Sequence, residues 1–167
     1  MKASPSKISL QKYAPLLIII GLAVLGSLAL AVNDASELSF SRSMHAFMGL
    51  FLLQFSALKL FNVSGFAKGF ARYDLLAMRW KSWGKVYPFV ELVLALGYLA
   101  GGAIWVYLTT FIVMGFGAFG VLRALKKGLN TNCACLGTTL KVPLSTVAVT
   151  ENISMVLMSV FMYFSAS

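Results

Sequence analysis

Long uninterrupted apolar runs constrain the fold of this chain more than any other feature of its sequence. Residues 15–32 read PLLIIIGLAVLGSLALAV and contain no charged side chain. A helix that crosses a bilayer needs roughly 20 mostly apolar residues, and a run of this kind meets that need. Further runs cover residues 44–61, 86–100, 103–125 and 142–164. The sequence therefore predicts an all-α, polytopic membrane bundle of about five, and at least four, transmembrane helices.

The composition agrees with a membrane protein and disfavours several other classes. The chain is 59% apolar and 11% charged, whereas a soluble domain is about a quarter charged. Its net charge of +9 is spread in short clusters between the apolar runs, which favours topology signals over nucleic-acid binding. No nucleotide-binding or hydrolase motif is present, so a non-enzymatic role is favoured. We expect one integral membrane domain over residues 1–167, with the lipid bilayer as its surroundings.

Two connecting segments have patterns of their own. Residues 66–81 place apolar side chains near helical spacing and interleave them with lysine and arginine. This pattern predicts an amphipathic helix lying in the headgroup region, with an ordinary loop as the alternative. Gly101-Gly102 separates the third and fourth apolar runs and suits a tight reversal between antiparallel helices.

The first apolar run has two interpretations. Lysines precede it, and Ala29-Leu30-Ala31 resembles a cleavage site, as in a secretory signal peptide. The run of 18 residues from Pro15 to Val32 exceeds the usual apolar region of a signal peptide, which is about 7–15 residues. A retained helix is therefore favoured, and cleavage would leave the other helices oriented as before.

Positive charge falls on one side of the predicted membrane. With the N-terminus inside, Arg42 is the single lysine or arginine on the outer side, and Lys59 lies within a helix. The inner side carries Lys2, Lys7, Lys12, Lys68, Arg72, Arg79, Lys81, Lys85, Arg123, Lys126, Lys127 and Lys141. This asymmetry predicts a bacterial-type inner (plasma) membrane protein whose N-terminus and CACLG segment are cytoplasmic.

Cys133 and Cys135, here called the CxC pair, are the two cysteines of the chain and lie ahead of the fifth helix. A structural disulfide is disfavoured in a reducing cytosol, and a disulfide across one residue is strained and easily reduced. Two adjacent thiolates suit a soft cation such as Cu(I) or Hg(II). Soft-metal binding is the first interpretation, thiol–disulfide exchange the second and inert packing the third. No organic cofactor is evident.

Ionisable side chains inside a spanning helix are costly, so each one indicates either pairing or function. Lys59 and Glu91 fall at similar depth in the second and third helices, which predicts a structural ion pair. Asp74 is also interpreted as structural. At the outer end of the second helix, His45 and Met48 offer imidazole and thioether ligands for an uptake site. The alternative interpretation is that His45 is an ordinary polar residue at the membrane interface and Met48 its apolar neighbour.

Glu151 lies inside the fifth helix, about 13 Å from its inner end at 1.5 Å per residue. Three methionines follow on the same face at i+4, i+7 and i+11: Met155, Met158 and Met162. Together with the CxC pair, this face predicts a path of soft ligands for a metal ion. The alternative is ordinary packing, because methionine commonly fills apolar interfaces.

The sequence also resembles a known family, the MauE/DoxX group of redox-associated small membrane proteins, especially members linked to heavy-metal handling. The resemblance runs from about Met48 to the C-terminus. Its pieces are FSALKLFNVSGFAKGFARYD (55–74), YPFVELVLALG (87–97) and CACLGTTLKVPLSTVAVTEN (133–152). It implies a helical bundle with a Cys pair at a helix start, and relatives that mature methylamine dehydrogenase, where thiol–disulfide exchange is proposed. Other relatives carry a heavy-metal-binding domain that this chain lacks, so a separate soluble carrier would supply or receive an ion.

Three functions are consistent with these residues. The first is transport or transfer of a soft metal across the inner membrane through the CxC pair. The second is a thiol–disulfide partner that supports the maturation of cysteine-containing proteins. The third is a scaffold subunit without chemistry. Oligomerisation stays open, because small residues on the fourth helix permit close contact within or between chains. These are Gly115, Gly117, Ala118 and Gly120.

Overall fold

A computed structural model describes residues 10–32, 40–127 and 144–166 of the chain. These residues form helices and turns and contain no strand, which confirms the all-α fold. The helices are α1 (Leu10–Val32), α2 (Phe40–Leu60), α3 (Val63–Phe70), α4 (Leu75–Arg79), α5 (Trp83–Leu99), α6 (Ile104–Lys126) and α7 (Leu144–Ala166).

Three of the described helices are long and apolar enough to cross a membrane by length and composition. They are α2, α6 and the part of α7 from Ala148 to Ser165, and the apolar stretch Leu16–Val32 of α1 is shorter. Large apolar side chains also stand exposed on the outside of the bundle, such as Ile112 on α6 and Leu157 on α7. Exposed apolar surface on this scale is typical of a lipid-facing bundle. The protein is therefore a multi-pass membrane protein.

Close helix contacts in this bundle depend on glycine. A Cβ added at Gly49 would lie 2.6 Å from Leu99 Cγ, so the glycine lets α2 approach α5. On α6, a Cβ at Gly117 would lie 2.7 Å from Asn152 Oδ1 on α7, and Gly120 faces the turn before α4. A Cβ at Gly115 would meet nothing within 4 Å. Two small residues of the α6 stripe thus serve contacts within the chain.

The predicted reversal at Gly101-Gly102 joins α5 to α6. Both glycines have positive φ, 101° and 63°, a backbone conformation that side chains strongly disfavour. The reversal places the C-terminus of α5 beside the N-terminus of α6. A Cβ at Gly102 would lie 2.6 Å from the His45 ring, so the start of α2 lies at this end of the bundle too.

The structure divides residues 66–81, predicted as one amphipathic helix, into α3 and α4. The physical reason is Asp74, whose Oδ1 accepts a hydrogen bond from the Ala77 N–H at 2.8 Å and so starts a new helix. The apolar side chains of α3, Phe66 and Phe70, are buried against Tyr87 of α5. The α3 part of the expected apolar face therefore packs into the protein, whereas Met78 on α4 is exposed.

Asp74 is a buried helix cap, which agrees with a structural interpretation. Asp74 is only 2% exposed, although it lies in the turn between α3 and α4. Burial raises the pKa of this carboxyl above its usual value, while hydrogen bonds from the N–H groups of Ala77 and Leu76 oppose that rise. The net direction is upward, so removal from water outweighs the capping bonds.

Candidate functional site: a buried charge triad beneath the cysteine connection

The CxC pair lies outside the residues that the structure describes. Along the chain, both cysteines fall between the end of α6 at Lys126 and the start of α7 at Leu144. The connection of α6 to α7 therefore carries the only thiols of the protein. Their predicted roles as metal ligands or redox groups stay predictions. The described part of the site lies on α2, α5 and α7, and α7 is the helix that follows this connection.

Three charged side chains meet inside the bundle, and we call Lys59, Glu91 and Glu151 the buried triad. Lys59 Nζ lies 2.5 Å from Glu91 Oε1, 2.6 Å from Glu91 Oε2 and 2.8 Å from Glu151 Oε1. The side chains of Lys59 and Glu151 are 1% exposed and that of Glu91 is 0% exposed. The triad therefore connects α2, α5 and α7 through one ammonium group.

Helix direction and depth explain why these residues meet. Lys59 stands one residue before the end of α2, and Glu91 lies eight residues after Trp83, the first residue of the antiparallel α5. Glu151 lies seven residues after Leu144, which corresponds to about 10 Å along α7. The three side chains thus reach a common depth, near the end of the bundle to which the CxC connection attaches.

Aromatic rings enclose the ammonium group of Lys59. Its Nζ lies 5.6 Å from the ring centroid of Phe55, 5.7 Å from that of Phe66 and 5.2 Å from that of Tyr87. A cation within about 6 Å of a ring face is attracted to the π electrons. The Tyr87 hydroxyl also donates a hydrogen bond to Met114 Sδ at 3.7 Å. The rings therefore stabilise the cation and exclude water from it.

In the structure Glu151 belongs to the buried triad, and its predicted place on a metal path stays a prediction. One of its oxygens already accepts a hydrogen bond from Lys59. The three methionines that follow it do lie along α7. Met155 and Met162 are buried, and Met158 is half-buried beside an apolar cavity of about 360 Å³ that also touches Phe47 and Phe51. Their predicted role as thioether ligands stays a prediction.

The predicted uptake site at His45 and Met48 stays a prediction, and the structure shows the surroundings of each side chain. The carbonyl oxygen of Ser41 accepts a hydrogen bond from His45 Nδ1 at 2.7 Å, and His45 Nε2 bonds the Tyr107 hydroxyl at 2.5 Å. Met48 is 0% exposed and belongs to the apolar core. Both ring nitrogens thus have protein partners, and within the described ranges no group of three His, Cys, Asp or Glu side chains is arranged for a metal ion.

Depth along the helices predicted the Lys59–Glu91 pair, but two further members of the site were not predicted. Glu151 is the second carboxylate on Lys59, and Tyr87 closes the space over the ammonium group. The depth argument that joined Lys59 to Glu91 applies also to Glu151, since Glu91 and Glu151 lie eight and seven residues after the first residues of α5 and α7. The role of Tyr87 had a weaker signal, its position one turn before Glu91 on the same helix face.

Comparison with known proteins gives the chain a family. Residues 37–165 match the family model described as methylamine utilisation protein MauE. Neither the curated proteins nor the solved structures contain a match. The matched region contains the buried triad and the CxC pair, and the likeness to DoxX proteins stays a prediction. The match covers well over half of the sequence, so the chain belongs to the MauE family.

Proposed function

We propose that this member of the MauE family acts as a thiol–disulfide partner that supports the maturation of a cysteine-containing protein. The observation that carries the proposal is the extent of the family match, residues 37–165, which contains both cysteines of the chain. Family members are described by their part in methylamine utilisation. Two thiols one residue apart, in a chain with no other cysteine, provide the chemistry for that role.

The reaction is an exchange of two electrons between two sulfur pairs. One thiolate of the CxC pair attacks a disulfide of the client protein, which forms a mixed disulfide and releases one client thiolate. The second thiol of the pair loses its proton and displaces the other client sulfur. The client leaves as a dithiol, and the CxC pair becomes a disulfide. Because a disulfide across one residue is strained, cytosolic thiols such as glutathione reduce it again.

An inner-membrane location with a cytoplasmic CxC pair belongs to the same proposal. The strong excess of lysine and arginine on one side supports it. In the structure, Arg72, Arg123 and Lys127 line a common cavity of about 70 Å³, so positive charge from separate elements gathers at one end of the bundle. The CxC connection begins after Lys127, at this same end.

Trapping of a mixed disulfide tests the redox proposal. In Cys135→Ser and Cys133→Ser chains the second thiol is missing, so a client linked to the first sulfur cannot be displaced. We expect a higher-mass adduct in one of these single variants, sensitive to reductant and absent from the Cys133→Ser/Cys135→Ser control. A membrane-impermeant maleimide, applied to sealed inverted and right-side-out vesicles, reports the side of the thiols. Maturation that survives loss of both cysteines would refute the proposal and favour a scaffold role.

Soft-metal binding by the same two sulfurs is the second candidate. The CxC spacing favours it, because two adjacent thiolates can hold one Cu(I) or Hg(II) ion for transfer to or from a soluble carrier. Transport or transfer of that ion across the membrane is part of the same candidate. Anaerobic titration with Cu(I) against a competing chelator tests it, with the double Cys→Ser chain as the control. Thiol-dependent uptake of about one ion per chain supports this candidate, and equal uptake by both chains rejects it.

A further inference from the structure

The buried triad contains unequal numbers of positive and negative groups. One ammonium group faces two carboxylates, so full ionisation would leave one uncompensated negative charge. All three side chains are at most 1% exposed, and they lie inside helices of a membrane bundle. An uncompensated charge in such surroundings is costly, and buried groups avoid that cost by taking up or releasing a proton.

The contacts of the two carboxylates are also unequal. Lys59 Nζ contacts both oxygens of Glu91 but only Oε1 of Glu151. Glu151 Oε2 is buried and has no hydrogen-bond partner among the described residues. An ionised carboxylate with one buried oxygen unpaired is disfavoured, because the charge on that oxygen is neither solvated nor bonded. The carboxylate pair therefore carries the negative charge that a proton would neutralise, and the unpaired Glu151 Oε2 is a position that can hold it.

We propose that the buried triad is a proton-binding site, in which Glu91 and Glu151 share one proton and the triad is neutral overall. A proton is the fitting ligand because Lys59 Nζ already fills the position between the carboxylates where a metal ion would lie. The rings of Phe55, Phe66 and Tyr87 close the surroundings of that nitrogen to larger cations.

The described groups around the triad supply no second positive charge. The helix α5 contributes the Tyr87 hydroxyl, α3 contributes the Phe66 ring, and α6 contributes the thioether of Met114. Residues 16–32 of α1 contain no acidic or basic side chain, and Asp74 lies in the turn beside Gly120 of α6. Charge neutrality of the buried triad therefore depends on the bound proton.

The buried triad lies near one end of the bundle. Phe61 and Asn62, two and three residues after Lys59, are exposed, and Phe61 is 89% exposed. Glu151 lies about 10 Å from the start of α7. The site thus lies close to the face that carries the CxC connection, and it holds α7 to α2 and α5 through the shared ammonium group.

Isotope-edited infrared spectroscopy tests the proposal, because the chain has few carboxyl groups. Its glutamates are Glu37, Glu91 and Glu151. In a Glu37→Gln chain, ¹³C-labelled glutamate marks the triad alone, and the protonated and ionised forms absorb at separate frequencies. In lipid nanodiscs at neutral pH we expect one protonated and one ionised glutamate per chain. Adding Glu151→Gln or Glu91→Gln should remove the protonated signal, because the remaining carboxylate balances Lys59 by itself.

Two results would overturn the proposal. The first is a spectrum of the Glu37→Gln chain that contains ionised glutamate alone, which would mean that water or another group compensates the second carboxylate. The second is a protonated signal that persists at full strength after either triad substitution, which would mean that charge balance does not set protonation. The triad is intact in the Glu37→Gln chain, so this first spectrum decides the proposal even where a triad variant does not fold.

Discussion

Substitution of Lys59 by methionine tests the energetic role of the buried triad. Methionine fills much of the volume of the lysine stem but removes the ammonium group, so Glu91 and Glu151 lose their common donor. Three short contacts of 2.5, 2.6 and 2.8 Å disappear, and two carboxyl groups stay behind at no more than 1% exposure. Water cannot reach them without opening the contact of α7 with α2.

The expected cost follows from this burial. Breaking a buried ion pair by removing one partner destabilises a protein by about 3–5 kcal/mol, because a buried charge is left uncompensated. Protonation of both carboxyl groups limits the loss, so we expect the lower end of the range, about 3 kcal/mol. A chain in which Lys59, Glu91 and Glu151 are all methionine carries no charge there, and we expect it to recover most of that stability.

Reversible unfolding in mixed detergent–SDS micelles measures these differences. The control is Lys85→Met, since Lys85 is an exposed lysine on α5 and its loss removes no buried contact. A Lys59→Met chain within about 1 kcal/mol of the unsubstituted chain would refute the reasoning, because no buried ion pair could then depend on this lysine. A triple-methionine chain less stable than Lys59→Met would equally contradict it.

Two further predictions concern the supporting structure. Gly84→Ala should lower the free energy of unfolding by about 1–3 kcal/mol, because the new Cβ would crowd the backbone of α3. It would lie 3.0 Å from Ala67 Cα. Gly115→Ala is the control: its Cβ meets nothing within 4 Å, so it should be neutral or slightly stabilising in the same unfolding assay. The raised pKa of Asp74 means that the folded chain holds this proton at pH values where the unfolded chain has lost it, so its contribution to stability falls as pH rises through the folded pKa. Asp74→Asn should keep the helix cap and flatten that pH dependence. Asp74→Ala should be about 1 kcal/mol less stable than Asp74→Asn at every pH, because it loses the cap. An unchanged pH profile in Asp74→Asn would exclude this group as its source.

The apolar runs predicted the helices because a chain segment in lipid must satisfy its own backbone N–H and C=O groups, which an α-helix does. The predicted runs and the described helices coincide in their interiors and differ mainly at their ends, where polar residues continue a helix past the hydrocarbon. Phe40 to Ser43, for example, extend α2 beyond the predicted start at Met44. The division of residues 66–81 was missed because apolar spacing alone did not register the capping function of Asp74.

The candidate site was predictable in pairs but not as a whole. Similar depth in the membrane was enough to predict the Lys59–Glu91 pair, because opposite charges inside a membrane bundle form ion pairs. Glu151 was instead interpreted from its own helix, as the end of a methionine face. Which face of α7 meets α2 depends on packing against α6 at Gly117, and that is a property of three helices rather than of one sequence segment.

The reduction potential of the CxC pair is the measurement that tests the proposed function most directly. Purified protein in nanodiscs would be equilibrated anaerobically with glutathione buffers of increasing oxidised fraction, quenched in acid and alkylated, so that mass counts the free thiols at Cys133 and Cys135. We predict a single two-electron transition with a midpoint above about −300 mV, as expected of a strained, exchangeable disulfide. Two thiols that stay reduced at every ratio, with no disulfide between them, would contradict thiol–disulfide exchange and leave soft-metal binding as the role to test.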